Sequence, residues 1–137
     1  MEKKVISKED RLKQVPLFSN LHKKNLAEIA HISDVVEVPA GEVLVEEGGR
    51  GDQFIMILEG EAKVTQNGEV VNRLSENDFF GEIALVAHRR RAATVTAETP
   101  MKVLVVPAGY FSNLLEQTPG LWKEIAIAMS HYIPPKI

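Results

Sequence analysis

The sequence predicts an α+β chain in which helices at both ends flank a β-sandwich or jelly-roll barrel of about eight strands. Two observations predict it. The apolar residues change period twice: helical spacing before residue 35, alternating or β-branched runs up to residue 106, and helical spacing again afterwards. Turn-forming residues separate the runs of the middle segment at short intervals. The length of 137 residues is enough for one core and too little for a second full domain.

The first third, residues 1–34, reads as helical. Arg11-Leu12-Lys13-Gln14-Val15 precedes Pro16, and the polar Ser19-Asn20 are placed to cap a helix running to Ile32. Leu26, Ile29 and Ala30 follow the i, i+3, i+4 spacing and give that helix one apolar face. In 35–106 the strands are read from Val36/Val38, Val43/Val45, Phe54-Ile55-Met56-Ile57, Ala62/Val64, Val70-Val71, Val95/Ala97 and Val103-Leu104-Val105-Val106. Turns fall at Pro39-Ala40-Gly41, at the glycine-rich Gly48-Gly49-Arg50-Gly51-Asp52, and at Gly60, Asn67-Gly68 and Asn77-Asp78. Asn67-Gly68 is the sharpest signal, because both residues tolerate the positive φ of a two-residue hairpin turn. Residues 107–133 return to helix. Phe111, Leu114 and Leu115 form one stripe, Thr118-Pro119-Gly120 breaks it, and Leu121, Trp122, Ile125, Ala126 and Met129 form a second, with Trp122 expected in the core. Pro134-Pro135 ends the second helix.

Composition excludes several classes of function. No cysteine is present, which removes disulfides, thiolate metal sites and thiol nucleophiles and fits the cytoplasm. No apolar run approaches the roughly 18 residues of a membrane span, and Met1 to Arg11 lacks a signal core. The net charge of −3 conceals +3 over residues 1–31, −9 over 32–87 and +3 over 88–137. The densest cationic cluster, His88-Arg89-Arg90-Arg91, directly follows the acidic segment. A broad basic face for nucleic acid is absent, so an anion site is local. His22, His31 and His131 are too scattered for a metal site.

The stretch Phe79-Phe80-Gly81-Glu82-Ile83-Ala84-Leu85-Val86-Ala87-His88-Arg89-Arg90-Arg91-Ala92-Ala93-Thr94-Val95 interrupts the strand series. A glycine opening a helical turn lets the backbone approach a ligand and aims amide N–H groups outward, as a phosphate requires. Arginine adds a planar fork matched to phosphate oxygens. A carboxylate beside such an anion, here Glu82, makes sense if it accepts hydrogen bonds from hydroxyls next to the phosphate, such as those of ribose. Small side chains at Ala84, Ala92 and Ala93 leave room for contact with main-chain amides.

These residues resemble the phosphate-binding cassette of the cyclic nucleotide-binding domain family, shared by catabolite activator protein, the regulatory subunits of cAMP-dependent protein kinase and cyclic-nucleotide-gated channels. The cassette is matched by Phe80-Gly81-Glu82-Ile83-Ala84-Leu85 and Arg91-Ala92-Ala93-Thr94-Val95, within residues 80–95. The framing glycines match in Pro39-Ala40-Gly41, Glu47-Gly48 and Leu58-Glu59-Gly60. The spacer departs from the commoner small or Pro-containing versions, with His88, Arg89 and Arg90, and Asn77 replaces the usual Gly before Asp78. The resemblance implies a jelly roll and a site made of Gly81, Glu82, Ile83, Ala84, Arg91, Ala92 and Ala93. Glu82 and the Gly81 backbone would hold the ribose 2′-hydroxyl. Arg91 would pair with the cyclic phosphate, and the Ala84 and Ala92 amides would complete the cradle. Ala92 where cGMP readers carry Thr implies cAMP rather than cGMP as ligand. Arg89 and Arg90 are expected to be solvated and to set the field around Arg91.

No clustered His and Asp, G-x-S-x-G, phosphate-loop lysine or catalytic Cys is present, so a cofactor-free binding module is expected rather than an enzyme. The expected function is a cytoplasmic regulatory sensor in which ligand binding repacks the C-terminal helices and switches a partner or fused effector. Those helices are also the expected place of any homodimer contact. The long dimerising helix and helix-turn-helix of catabolite-activator-like factors do not follow, so DNA binding by this chain is not expected. The alternative is an interaction domain of the same fold that works without nucleotide.

Overall fold

The structure, a computed structural model, describes residues 7–15, 18–19, 21–81, 89–118 and 120–130, with the backbone alone at 89 and 128–130. Helix α1 (Lys8–Leu12) is opened by Ser7, whose Oγ accepts from the Asp10 amide at 3.1 Å. Helix α2 (Lys23–His31) starts later than the sequence suggests. His22 is its N-cap and makes no side-chain capping bond, Ser19 lies upstream in an exposed turn, and Asn20 falls outside the described residues. The apolar face expected for α2 is formed, with Leu26, Ile29 and Ala30 buried.

The strands are β1 (Asp34–Val38), β2 (Val43–Val45), β3 (Arg50–Gly51), β4 (Gln53–Glu59), β5 (Ala62–Gln66), β6 (Glu69–Leu74), β7 (Phe79–Phe80), β8 (Arg89–Arg90), β9 (Thr94–Ala97) and β10 (Met101–Pro107). They pair antiparallel in the orders β1-β10-β4-β7 and β2-β9-β5-β6, with β3 and β8 forming a separate two-stranded ladder. The expected jelly roll is present, but its two four-stranded sheets face each other without closing into a barrel. Asn67 (φ 53°) and Gly68 (φ 82°) make the β5–β6 hairpin turn that their residue types require. Asn77 takes the left-handed conformation (φ 74°) that replacement of glycine there demands. The segment from Gly48 to Asp52 is more than a turn, because Arg50 and Gly51 pair with Arg90 and Arg89.

Two apolar layers explain the pattern of the strands. One face of β4 and β10, through Phe54, Met56, Leu104 and Val106, packs against Leu12 of α1, Ile29 of α2, Phe111 of α3 (Ala108–Gln117) and Leu121 and Ile125 of α4 (Leu121–Ser130). Their other face, through Ile55, Ile57 and Val103, meets Val64 of β5, Leu74 of β6 and Val95 of β9. A sheet covered on both faces needs unbroken apolar runs, which are Phe54-Ile55-Met56-Ile57 and Val103-Leu104-Val105-Val106. The second sheet is covered on one face only, so Ala62/Val64 and Val95/Ala97 alternate with polar residues.

Edge strands leave several of their valines in water. Val36 of β1 and Val43 of β2 are 42% and 43% exposed, and Val70 and Val71 of β6 are exposed as well. All three strands lie at the end of a sheet, where neighbours are missing on one side. Trp122, expected in the core, is 50% exposed, and Ala126 is exposed too. The reason is helical geometry: α4 docks through Leu121 and Ile125, and residues one position further on are turned about 100° away from that line.

Phe54 holds the helical layer to the sheet. It is fully buried, meets Phe18 edge-on at 5.9 Å between ring centroids, and meets Phe79 at the same separation. Phe54→Ala is expected to lower the unfolding free energy by about 3–5 kcal/mol, read as a shift of the urea midpoint at unchanged m-value.

Candidate functional site

The site is built around Arg91, which follows β8 and is only 5% exposed. A guanidinium does not lose its proton in proteins, so burial requires acceptors close by. The main chain provides one: Arg91 Nη2 donates to the Gln53 carbonyl oxygen at 2.5 Å. The Arg91 backbone is held as firmly. Its amide donates to the Gly49 carbonyl oxygen at 2.9 Å, and its own carbonyl accepts from the Gly48 amide at 2.8 Å. The loop from Gly48 to Gln53 therefore wraps Arg91 at main chain and side chain together.

Gly81 makes the burial sterically feasible. It follows Phe80 of β7, which pairs with Ile55 of β4, so its position against Gln53 is set by the sheet. Its φ is +81°, and a Cβ built there would overlap Arg91 Nη1 and lie 2.5 Å from the Gln53 carbonyl oxygen. The absent side chain is the notch that the guanidinium fills.

Beyond Arg91 the chain divides its small residues between surface and core. Ala92 is exposed, and its carbonyl accepts from Gln66 Nε2 at 3.0 Å. Ala93 is fully buried between the sheets with Ile55, Val64 and Val95. Thr94 Oγ1 accepts from the Glu47 amide at 2.9 Å, and Glu47 Oε1 accepts from the Asn67 amide at 3.0 Å, which ties the glycine-rich loop to the β5–β6 hairpin. Of the residues proposed from sequence, Gly81 and Arg91 are in contact, and Ala92 and Ala93 continue directly from Arg91. Glu82, Ile83 and Ala84 lie outside the described residues. Gln53, Gly48 and Gly49 were not anticipated as part of the site. They act through main-chain atoms, so the glycine run was their only trace in the sequence. Among the described residues no His, Asp and Glu group is placed to hold a metal ion, and no helix is long and apolar enough to cross a membrane.

The sequence profile of the cyclic nucleotide-binding domain matches residues 35–118, which contain both sheets and the Gly81–Arg91 contact. The chain belongs to the cyclic nucleotide-binding domain family. This domain is 40% identical over 106 residues to the cAMP-dependent protein kinase regulatory subunit of Emericella nidulans, covering 76% of the chain and 26% of that protein. It is 43% identical over 108 residues to the subunit of the same name from Yarrowia lipolytica, covering 76% and 28%. The chain thus spans about a quarter of the length of these relatives. Among solved structures, the N-terminal domain of a transcriptional regulator from Streptomyces coelicolor A3(2) superposes with a TM-score of 0.82 at 26% identity, covering 89% of this chain and 91% of that one. A putative cyclic nucleotide-binding protein from Geobacter metallireducens GS-15 shares the fold with a TM-score of 0.74 at 23% identity, covering 93% and 95%.

The notch at Gly81 has a measurable consequence. Gly81→Ala forces a side chain into a left-handed backbone position and into Arg91, and is expected to destabilise the domain by about 1–3 kcal/mol in chemical denaturation. Gly68→Ala, where a Cβ meets nothing within 4 Å, isolates the backbone part of that loss.

Proposed function

We propose that this domain is a cAMP-binding regulatory module whose ligand state controls a partner or a fused effector. The observation that carries the reading is the Arg91 guanidinium, buried against Gly81 and anchored at one nitrogen by the Gln53 carbonyl. A fork fixed in this way is preorganised for a phosphate, because little rotamer freedom is lost when the anion arrives. By the resemblance of the cassette, Arg91 takes the cyclic phosphate, the Ala92 amide adds a donor, and Glu82 with Gly81 takes the ribose hydroxyl. Ile83 and Ala84 complete the ligand-binding set, whereas Ala93, expected from the sequence to join it, is buried between the sheets and supports the cassette from within the core. Ala92 favours cAMP over cGMP, because a Thr at that place would add a hydroxyl for guanine. The residues serve binding and no bond-breaking step, so the module is not an enzyme, and it works in the cytoplasm.

The route from ligand to effector runs through Gln53 and its neighbour. The Gln53 carbonyl accepts from Arg91, and the adjacent Asp52 carbonyl accepts from the Ala108 amide at 2.9 Å, where α3 begins. A second connection is aromatic: Phe79, two residues before Gly81, packs on Phe54, Phe54 on Phe18, and Phe18 on Phe111 of α3 at 6.0 Å. A ligand shifts the helices only by binding their two arrangements with different affinity, and a bound phosphate that competes for Arg91 alters the Gln53 contact directly. The names of the relatives make a protein kinase the partner class to test first.

Titration calorimetry tests the reading. cAMP is expected to bind more tightly than cGMP, and Arg91→Ala to weaken cAMP at least tenfold, in line with about 1.5–3 kcal/mol for a charge-assisted hydrogen bond. Absence of heat with both nucleotides at millimolar concentration would leave the nucleotide-independent interaction domain as the function. In a separate titration Ala92→Thr is expected to move the preference toward cGMP. An unchanged ratio of the two affinities would remove the selectivity role of Ala92.

A further inference from the structure

Arg50 and Arg90 stand directly opposite each other across the β3–β8 ladder. Like charges in this position repel, and a purely structural ladder gains from opposite charges or apolar pairs instead. Both side chains are exposed, and among the described residues neither forms an ion pair. Arg90 Nη1 donates to the Gly48 carbonyl oxygen at 2.9 Å, which holds its guanidinium over the glycine-rich loop. That same loop grips Arg91 at Gly48, Gly49 and Gln53, so Arg50 projects from the middle of the segment that wraps the buried arginine. The chain on either side of Arg50 is acidic, with Glu46, Glu47 and Asp52 exposed. Residues 32–87 carry 12 acidic and 3 basic side chains, and Arg50 is one of those three.

We infer that Arg50 and Arg90 form a capture site for the ligand's phosphate, which draws the anion through an acidic surround and delivers it to Arg91. The role rests on the cyclic nucleotide reading given above. Arg50 and Arg90 control the rate of association, whereas Arg91 controls residence. An exposed pair acts through the field, whose reach is about 30 Å at 0.01 M salt and about 3 Å at 1 M, and a local field of one sign changes association rates by roughly 10-fold or more.

The test is stopped-flow mixing of the full chain with a fluorescent cAMP analogue at about 0.01 M and about 1 M salt. Arg50→Glu is the informative variant, because Arg50 is exposed and its side chain holds no part of the loop. Its association rate is expected to fall about tenfold at low salt and to match the unmodified chain within about twofold at high salt, with an unchanged dissociation rate. Arg50→Lys keeps the charge and is expected to keep the rate. An unchanged rate for Arg50→Glu at low salt overturns the capture role. So does a loss that persists at high salt or appears in dissociation. If the unmodified chain gives no binding signal at either salt, the cyclic nucleotide reading falls and the capture role falls with it; if it binds normally and only the salt effect is missing, the capture role alone falls.

Discussion

A guanidinium inside an apolar jelly roll is tolerated only where acceptors stand close to its N–H groups and nothing crowds it. Arg91 meets both conditions at one place, between the Gln53 carbonyl and the missing side chain of Gly81. Much of the architecture serves this arrangement. β4 and β7 pair so that Gly81 falls beside Gln53, and the Gly48–Gly51 loop bonds the Arg91 backbone from the other side. The site is thus a convergence of three segments distant in sequence, in which main-chain bonds from Gly48 and Gly49 hold the Arg91 backbone and the Gln53 carbonyl holds its side chain.

The layering of the domain connects that convergence to its outer helices. The sheet of β1, β10, β4 and β7 is covered on both faces, by the second sheet and by the four helices, so a displacement of β4 is felt in both layers. Close-packed layers of this kind shift between discrete arrangements rather than deforming smoothly. Gln53 opens β4, Asp52 carries the bond to α3, and Phe54 is the first residue of β4 to enter the helical layer. Three consecutive residues therefore face the cassette, the helix start and the helix core. Trp122 and Ile127 of α4 are half exposed, while Leu121 and Ile125 of that helix are buried in the core.

Charge follows a different logic from packing. The acidic residues of 32–81 are all exposed, where carboxylates are solvated. The arginines are concentrated by the β3–β8 ladder, which brings Arg50 from the acidic segment to the cationic run that follows it. Opposed like charges are a poor choice for the stability of two paired residues per strand, and a sensible one for attracting an anion.

Periodicity and turn-forming residue types determined the order of helix, strands and helices, the Asn67-Gly68 hairpin and the separation of α3 from α4. These depend on local backbone preference and on which side chains avoid water, both of which are written residue by residue. The cassette pattern likewise singled out Gly81 and Arg91, because a positive φ and a phosphate-matched side chain each call for one residue type. Tertiary structure alone decided that the late start of α2 needs no side-chain cap, that Trp122 faces solvent, that the sheets stay open, and that Gln53 anchors Arg91. In each of these the deciding partner is distant in the chain, or is a carbonyl oxygen that every residue carries. Such an atom leaves no mark on the amino-acid sequence until the fold brings it within bonding distance.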